Sequence, residues 1–542
     1  MERTPNSHHP ITPAAAIAAV AIVIVALMFH RIGASDVCGG DEAVEGVFVQ
    51  QMVEHGQLLF PVENGSIPMY KPPLFHWTAA AIDYLTGIRK VTAANLRFPS
   101  ALYATAGAIL TMLFAYRILG LEGAILAGLA LAGSYQYVVL GRFGRVDMTL
   151  CFFETVSLFA FLMWLPRDAT ASASRARIES NLGALYLMAL AMALGVLAKG
   201  PVGAILPTIS ILIFMIVERR GRQIFAMLDP GAIILGVTLA SSWYLACYIG
   251  GRNGFLNRQL GDENVGRFFG TLGAMSPLYY VKPIVLNSAP LSILVPIAAI
   301  TALSIRFRST ISALQARSFS RGSEGATENS SPSFEPERAL SSVRLFAIFY
   351  FVTVVFFSLA AYKRRSYLLP VWPASAVILA WSILTVVPLG WRRRAIFIFA
   401  AMCAGLAIFN FIYIPAIEVA SCRDDSFRPV AEEIARVVGP DEPLYVYGFK
   451  EELAPLLFYL DRDAPVLKGR LGDAPPGYII LPADVWQHRQ HEALDLAPVL
   501  TSDHGNCHLV VLKRGKSYAR ALVARDRFRH FLTGGESSLP RI

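Results

Sequence analysis

Charge is scarce in this chain. Asp, Glu, Lys and Arg make up 16% of its 542 residues and hydrophobic residues 55%, whereas a soluble domain carries about a quarter charged residues. With a mean hydropathy of +0.49, water alone cannot solvate it, which excludes an ordinary soluble enzyme. The net charge is +9, but no basic domain exists. The cations are scattered between apolar runs, which excludes nucleic acid as a partner and reads instead as membrane topology. Cysteine is also rare, at six, with no Cys-x-x-Cys spacing, so no zinc ribbon is encoded. An internal repeat is missing too, which weighs against a transporter. The first apolar run lacks a small-residue cleavage site and is expected to stay as an anchor.

What is abundant is apolar sequence. Runs at 13–32, 96–117, 120–141, 146–165, 181–198, 200–217, 228–249, 284–305, 344–361, 367–388 and 395–416 are each long enough to cross a hydrocarbon layer of about 30 Å as helices. About eleven crossings are expected. Arg167, Arg175 and Arg177, then Arg219, Arg220 and Arg222, then Arg306, Arg308 and Arg317, then Arg392, Arg393 and Arg394 fall in alternate loops. By the positive-inside rule these are cytoplasmic, with the N-terminus inside and the C-terminus outside. The outer segments are then 33–95, 251–283 and a tail from about 417.

The expected division is a transmembrane domain over 1–416 and an extracytoplasmic domain over 417–542. In the tail, strand-like Pro443–Gly448, Pro476–Pro482 and His508–Leu512 alternate with helix-like Val430–Val438 and Glu451–Leu460, a small α/β pattern. Residues 309–340, rich in Ser, Glu and Arg, read as a disordered linker. Cys151, Cys247 and Cys403 fall in spans and read as packing residues. Cys38, Cys422 and Cys507 face the oxidising side, and of their three pairings Cys422–Cys507 ranks first.

The informative charges break the topology rule. Arg142, Arg145, Lys199 and Lys363-Arg364-Arg365 sit at outer ends, and Asp147 stands beside Arg145. Such groups snorkel to headgroups or handle a substrate; three adjacent cations favour the second, as a collector of anionic lipid phosphates. Asp147 also reads as an ion-pair partner of Arg145 or Arg142. Outside the first run come Asp41-Glu42-Ala43 and Tyr70-Lys71-Pro72-Pro73. The acids can N-cap an interfacial helix over 43–54 and can also take a proton from a hydroxyl, while the lysine can hold a phosphate. His55 and His76 have no partner at metal-ligand spacing. Asn64-Gly65-Ser66 has sequon form but reads as a turn.

In order, Asp41-Glu42-Ala43, Lys71-Pro72-Pro73-Leu74, Arg145-Val146-Asp147-Met148, Lys199-Gly200-Pro201, Glu263-Asn264-Val265-Gly266-Arg267-Phe268 and Phe357-Ser358…Tyr367-Leu368-Leu369-Pro370 resemble the GT-C glycosyltransferases that use polyprenyl-phosphate sugars. These include lipid A aminoarabinose transferases and protein O-mannosyltransferases. The resemblance implies an α-helical polytopic membrane protein with interfacial helices in the first outer loop and a small C-terminal α/β domain. It implies Asp41 as catalytic carboxylate, Asp147 as a second cavity acid, and Lys71, Arg267 and Tyr367 as phosphate ligands. Glu42, Arg145, Lys199, Lys363 and Arg364 are further substrate-binding candidates. Two positions depart from the family: Tyr70 replaces its Glu, and Asn264 its His. Both are metal ligands in some relatives, so the resemblance implies loss of that metal site and no required cofactor, with a divalent metal left open as the alternative, and the acceptor is expected to differ.

The implied reaction moves a sugar from a polyprenyl (undecaprenyl) phosphate to lipid A or another envelope acceptor with inversion, in the bacterial inner membrane. The implied partners are that donor, a lipid or glycan acceptor and membrane lipids. The competing reading is a transporter or flippase of lipid-linked cargo. A transporter, however, usually places its charges near the midplane.

Overall fold

The computed structural model of the protein describes residues 12–166, 172, 174–175, 180–271, 273–286, 288–304, 336–449, 453–492, 495–504 and 507–514. The chain divides into two compact units. One comprises Met1–Gly33, Pro68–Ile88 and Ala94–Ala416; the other comprises Ala34–Ile67, Arg89–Ala93 and Ile417–Ile542.

In chain order the principal helices are α1 (Pro13–Phe29), α2 (Gly40–Val53), α3 (Leu74–Thr86), α4 (Ala93–Gly133), α5 (Tyr135–Arg142), α6 (Val146–Trp164), α7 (Leu182–Lys199), α8 (Val202–Val217) and α9 (Pro230–Ile249). They continue with α10 (Leu291–Ser304), α11 (Pro336–Leu359), α12 (Val371–Trp381) and α13 (Leu389–Cys422). Among the described residues six helices are long and apolar enough to cross a membrane, or seven if the bent pair Pro277–Leu286 and Leu291–Ser304 counts as one. Eleven crossings would further require the shorter helices Pro13–Phe29, Val202–Val217 and Val371–Val386, and both limbs of α4. That helix is broken at Gly120, whose φ of 75° is non-helical. The expected linker 309–340 lies mostly outside the described residues, and 336–340 are helical.

Local sequence sets the helix starts. Thr12 accepts from the Ala15 amide ahead of Pro13, Asn181 from Ala184, and Asp229 from Ala232 ahead of Pro230. These caps satisfy amides that have no partner within the helix. Arg142 does the reverse for α1: its Nη1 donates to the Leu27 and His30 carbonyls at 2.9 Å and to Met28 at 3.3 Å. Helix α6 is the most enclosed of the long helices, with 78% of its apolar window buried against 17% for α9. Phe159 of α6 stacks on Phe114 at 4.2 Å between centroids. The turn between α7 and α8 brings Gly195 and Gly203 together so closely that a Cβ on Gly203 would lie 2.2 Å from the Gly195 carbonyl carbon.

The second unit holds a four-stranded sheet in the order β3-β4-β6-β5, where β3 is Leu444–Val446, β4 Gly477–Pro482, β5 Leu496–His504 and β6 Cys507–Arg514. Strands β3 and β4 are parallel and the other pairings antiparallel. Strand β5 escapes a pattern reading because it is a polar edge strand with a bulge at Pro498/Leu500, and proline signals edge or non-strand. A hairpin, β1 (Val62–Glu63) and β2 (Ile67–Pro68), turns through Asn64 and Gly65, both at positive φ, as the turn reading expects.

Two expectations are corrected in this unit. The disulfide joins Cys38 to Cys422, not Cys422 to Cys507, because the 34–67 segment folds into this unit rather than with the membrane helices. Helix α2 begins at Gly40 with Gly39 as N-cap, so Asp41 and Glu42 lie in its first turn rather than capping it. That placement suits the positive end of the helix dipole.

Candidate active site

Two charge clusters meet around one cavity in the membrane-helix unit. Asp147 opens α6 and Lys199 closes α7, so each lies at the helix end whose dipole favours its charge. The Lys199 ammonium donates to Asp147 Oδ1, and Arg145 Nε lies 3.3 Å from Oδ2. The turn after Lys199 needs Gly200, at φ +94°, where a Cβ would also crowd the Asn264 side chain at 3.0 Å.

The second cluster centres on Glu263. Lys71 donates to its Oε2, and Arg267 Nη2 to its Oε1 at 2.7 Å. Arg267 Nη1 reaches the Tyr367 hydroxyl at 3.1 Å, and its buried Nε has no partner among the described residues. Lys199 Nζ sits 4.6 Å from the Tyr367 ring centroid, joining the clusters. Burial lowers the Lys71 pKa, with Arg267 and Lys199 adding to it and Glu263 opposing, to about 8. Burial would raise the Glu263 carboxyl, but Lys71 and Arg267 outweigh it and hold the group below its ordinary range.

The cavity is about 370 Å³. Its lining includes Lys71, Lys199, Glu263 and Arg267 together with Phe268, Phe269, Phe356 and Phe357. Cations and phenyl rings lining one cavity suit a ligand that is part phosphate and part hydrocarbon.

The other candidate residues fall elsewhere. The Lys363 ammonium is spent on the backbone carbonyls of Met275, at 3.2 Å, and Ala360. Arg364 Nη2 donates to the Tyr362 hydroxyl at 3.3 Å, and the Arg365 carbonyl accepts from Gln136 at 2.6 Å. The Lys363 ammonium and the Arg364 guanidinium therefore have different partners. Asp41 and Glu42 belong to the other unit. Glu263 enters the sequence reading only as part of the 263–268 motif, without a role, and Tyr362 does not enter it; the spacing of Glu263 four residues before Arg267 is the signal that assigns the first a partner.

The two positions implied as metal ligands are otherwise occupied. Lys71 and Arg258 lie 4.9 and 5.6 Å from the Tyr70 ring centroid, and the Asn264 amide donates to the Gln259 carbonyl at 2.5 Å. Among the described residues no three His, Cys, Asp or Glu side chains come together as a metal site. A phenol and an amide engaged in this way do not fit a divalent cation.

Residues 18–249 match the dolichyl-phosphate-mannose-protein mannosyltransferase family. The fold matches that of ArnT from Cupriavidus metallidurans bound to undecaprenyl phosphate, with a TM-score of 0.72 over 93% of this chain and 98% of that one, at 17% identity. The chain thus shares the fold of ArnT, and part of its length matches the mannosyltransferase family. It is a multi-pass membrane protein. An uncharacterized protein of Aquifex aeolicus is 26% identical over 363 residues, 67% of this chain and 62% of that protein. The undecaprenyl phosphate-alpha-4-amino-4-deoxy-L-arabinose arabinosyl transferase of Edwardsiella ictaluri is 25% identical over 207 residues, 38% of this chain and 35% of that enzyme. The match thus spans less than two thirds of either relative. The family match takes in Lys71, Asp147 and Lys199, while Glu263, Arg267 and Tyr367 lie beyond it.

Proposed function

We propose that the protein transfers a sugar from a polyprenyl phosphate to a lipid or glycan of the cell envelope, on the extracytoplasmic side of the inner membrane. The observation that carries this reading is the cavity wall in which three cations stand beside four phenylalanines. In this proposal Lys71, Arg267 and Tyr367 hold the donor phosphate, and Lys199, fixed by Asp147, adds a third positive charge. The apolar wall takes the first isoprene units.

The leaving group is a phosphate monoester with a second pKa of about 6, so its departure needs nearby positive charge more than an acid. Cations held in a partly dry site act far more strongly than in water. The acceptor oxygen attacks the anomeric carbon, the bond to the phosphate oxygen breaks with its electron pair, and Asp41 takes the acceptor's proton. A positioned base contributes roughly 10²–10⁴-fold. One displacement inverts the anomeric centre. No metal enters the scheme.

The test is release of polyprenyl phosphate by purified protein given a mixed polyprenyl-phosphate-sugar extract and envelope lipids. Wild type should release it, and Asp41→Asn and Lys71→Ala should not. Full activity in both correctly inserted variants would sink the proposal.

A further inference from the structure

A second cavity, of about 280 Å³, lies in the extracytoplasmic unit and is absent from the chemistry above. It is near the lower end of ligand-pocket volumes, roughly 300–1,000 Å³. Helix α2, the hairpin turn at Asn64 and the end of the helix Leu453–Leu460 form its wall. Its frame is fixed by side chain to backbone bonds. Gln50 Nε2 donates to the Phe458 carbonyl at 2.9 Å, and Asn64 both donates to the Ala464 carbonyl at 2.8 Å and accepts from its amide at 2.7 Å. Cys38–Cys422 closes the same unit. This is a preformed hollow.

The lining identifies the ligand chemistry. Gln51, His55, Gln57, Asp461 and Asp463 line it together with the apolar Val47 and Leu457, and the Asp461 carboxylate also lies 3.9 Å from the Lys90 ammonium. Arg462, its guanidinium, is tied to the Gly439 and Glu442 carbonyls. Carboxylates with a committed arginine repel phosphate. Among the described residues no three-ligand metal group exists. Amides and carboxylates beside a small apolar patch match the hydroxyls and the apolar face of a pyranose ring, and the two acids match an ammonium group. Gln51 also lies ten residues beyond Asp41 on the same helix, about 15 Å along its axis, which a short oligosaccharide can span.

We infer that this cavity binds the sugar chain of the acceptor, taking neutral or amino-bearing pyranoses and rejecting anionic ones. The inference rests on the transferase reading, since it makes the pocket an acceptor subsite for the reaction at Asp41.

The test uses the full chain in lipid nanodiscs and saturation-transfer NMR with chitotriose, glucosamine trisaccharide and, as anionic control, glucosamine 6-phosphate. Wild type and Asp41→Asn should bind both trisaccharides and not the phosphate. Gln51→Ala with Asp463→Ala should weaken both by about tenfold with the thermal midpoint unchanged. Asp463→Asn should weaken the amino trisaccharide more than the acetylated one. No binding by wild type, or equal binding by the double variant, overturns the inference. Polyprenyl phosphate release is measured on the same samples. Binding without release overturns the transferase reading and leaves a sugar pocket; release without binding does the opposite.

Discussion

Lys199 at the end of α7 and Asp147 at the start of α6 form a buried ion pair, and the same ammonium lies over the ring of Tyr367. Breaking a buried pair leaves one charge uncompensated, at a cost of about 3–5 kcal/mol. Lys199→Met and Asp147→Asn should each lose stability on that scale, while the double variant should lose clearly less than the two combined. Thermal unfolding of the four proteins in detergent forms the double-mutant cycle that checks it. Strict additivity would mean that the two side chains are not coupled.

A lysine whose pKa is lowered to about 8 is a cation below that pH and neutral above it. Donor kcat/KM should therefore decline as pH rises through about 8, since that parameter reports the free enzyme. Lys71→Arg should move the decline to higher pH. A profile that is flat across this range in wild type would remove Lys71 from phosphate binding.

Glu54 follows the opposite logic. Half-burial pushes its pKa up to about 7, helped by the charge and hydrogen bond of Asp461 and opposed by the Val91 amide and Lys90. In the unfolded chain the group titrates near 4.5. Between those values the folded protein holds a proton that the unfolded chain has released, so stability should fall as pH rises through this window and level off above about 7. Glu54→Gln should flatten the slope. Unfolding midpoints across the window measure it.

Replacing Cys38 and Cys422 with alanine should destabilise the second unit by about 2–5 kcal/mol. Reductant should produce the same shift in wild type and none in the variant, read from unfolding midpoints.

Much of the helical architecture was legible because apolar length and arginine placement are local. The charges at Lys71, Asp147, Lys199 and Arg267 stood out for the same reason: each interrupts apolar surroundings. Their pairing was not legible. Lys71 and Glu263 are 192 residues apart, and no local pattern joins them. Lys363 and Arg364 looked like parts of one phosphate collector, but the Lys363 ammonium is held by backbone carbonyls while Arg364 donates to the Tyr362 hydroxyl. The folding of 34–67 with the tail was equally hidden, because it rests on side chain to backbone bonds spanning some 400 residues, such as Asn64 to Ala464.

The Cys38–Cys422 bond also sets an order of events during synthesis. Its two cysteines are 384 residues apart. At about 5–20 residues per second, the first waits roughly 20 to 80 seconds for the second to leave the ribosome. Throughout that interval α2 and its Asp41 lack the covalent tie, so the second unit is locked only after the apolar helices described above have been made. A chain truncated before residue 422 can insert its helices but can never close that unit.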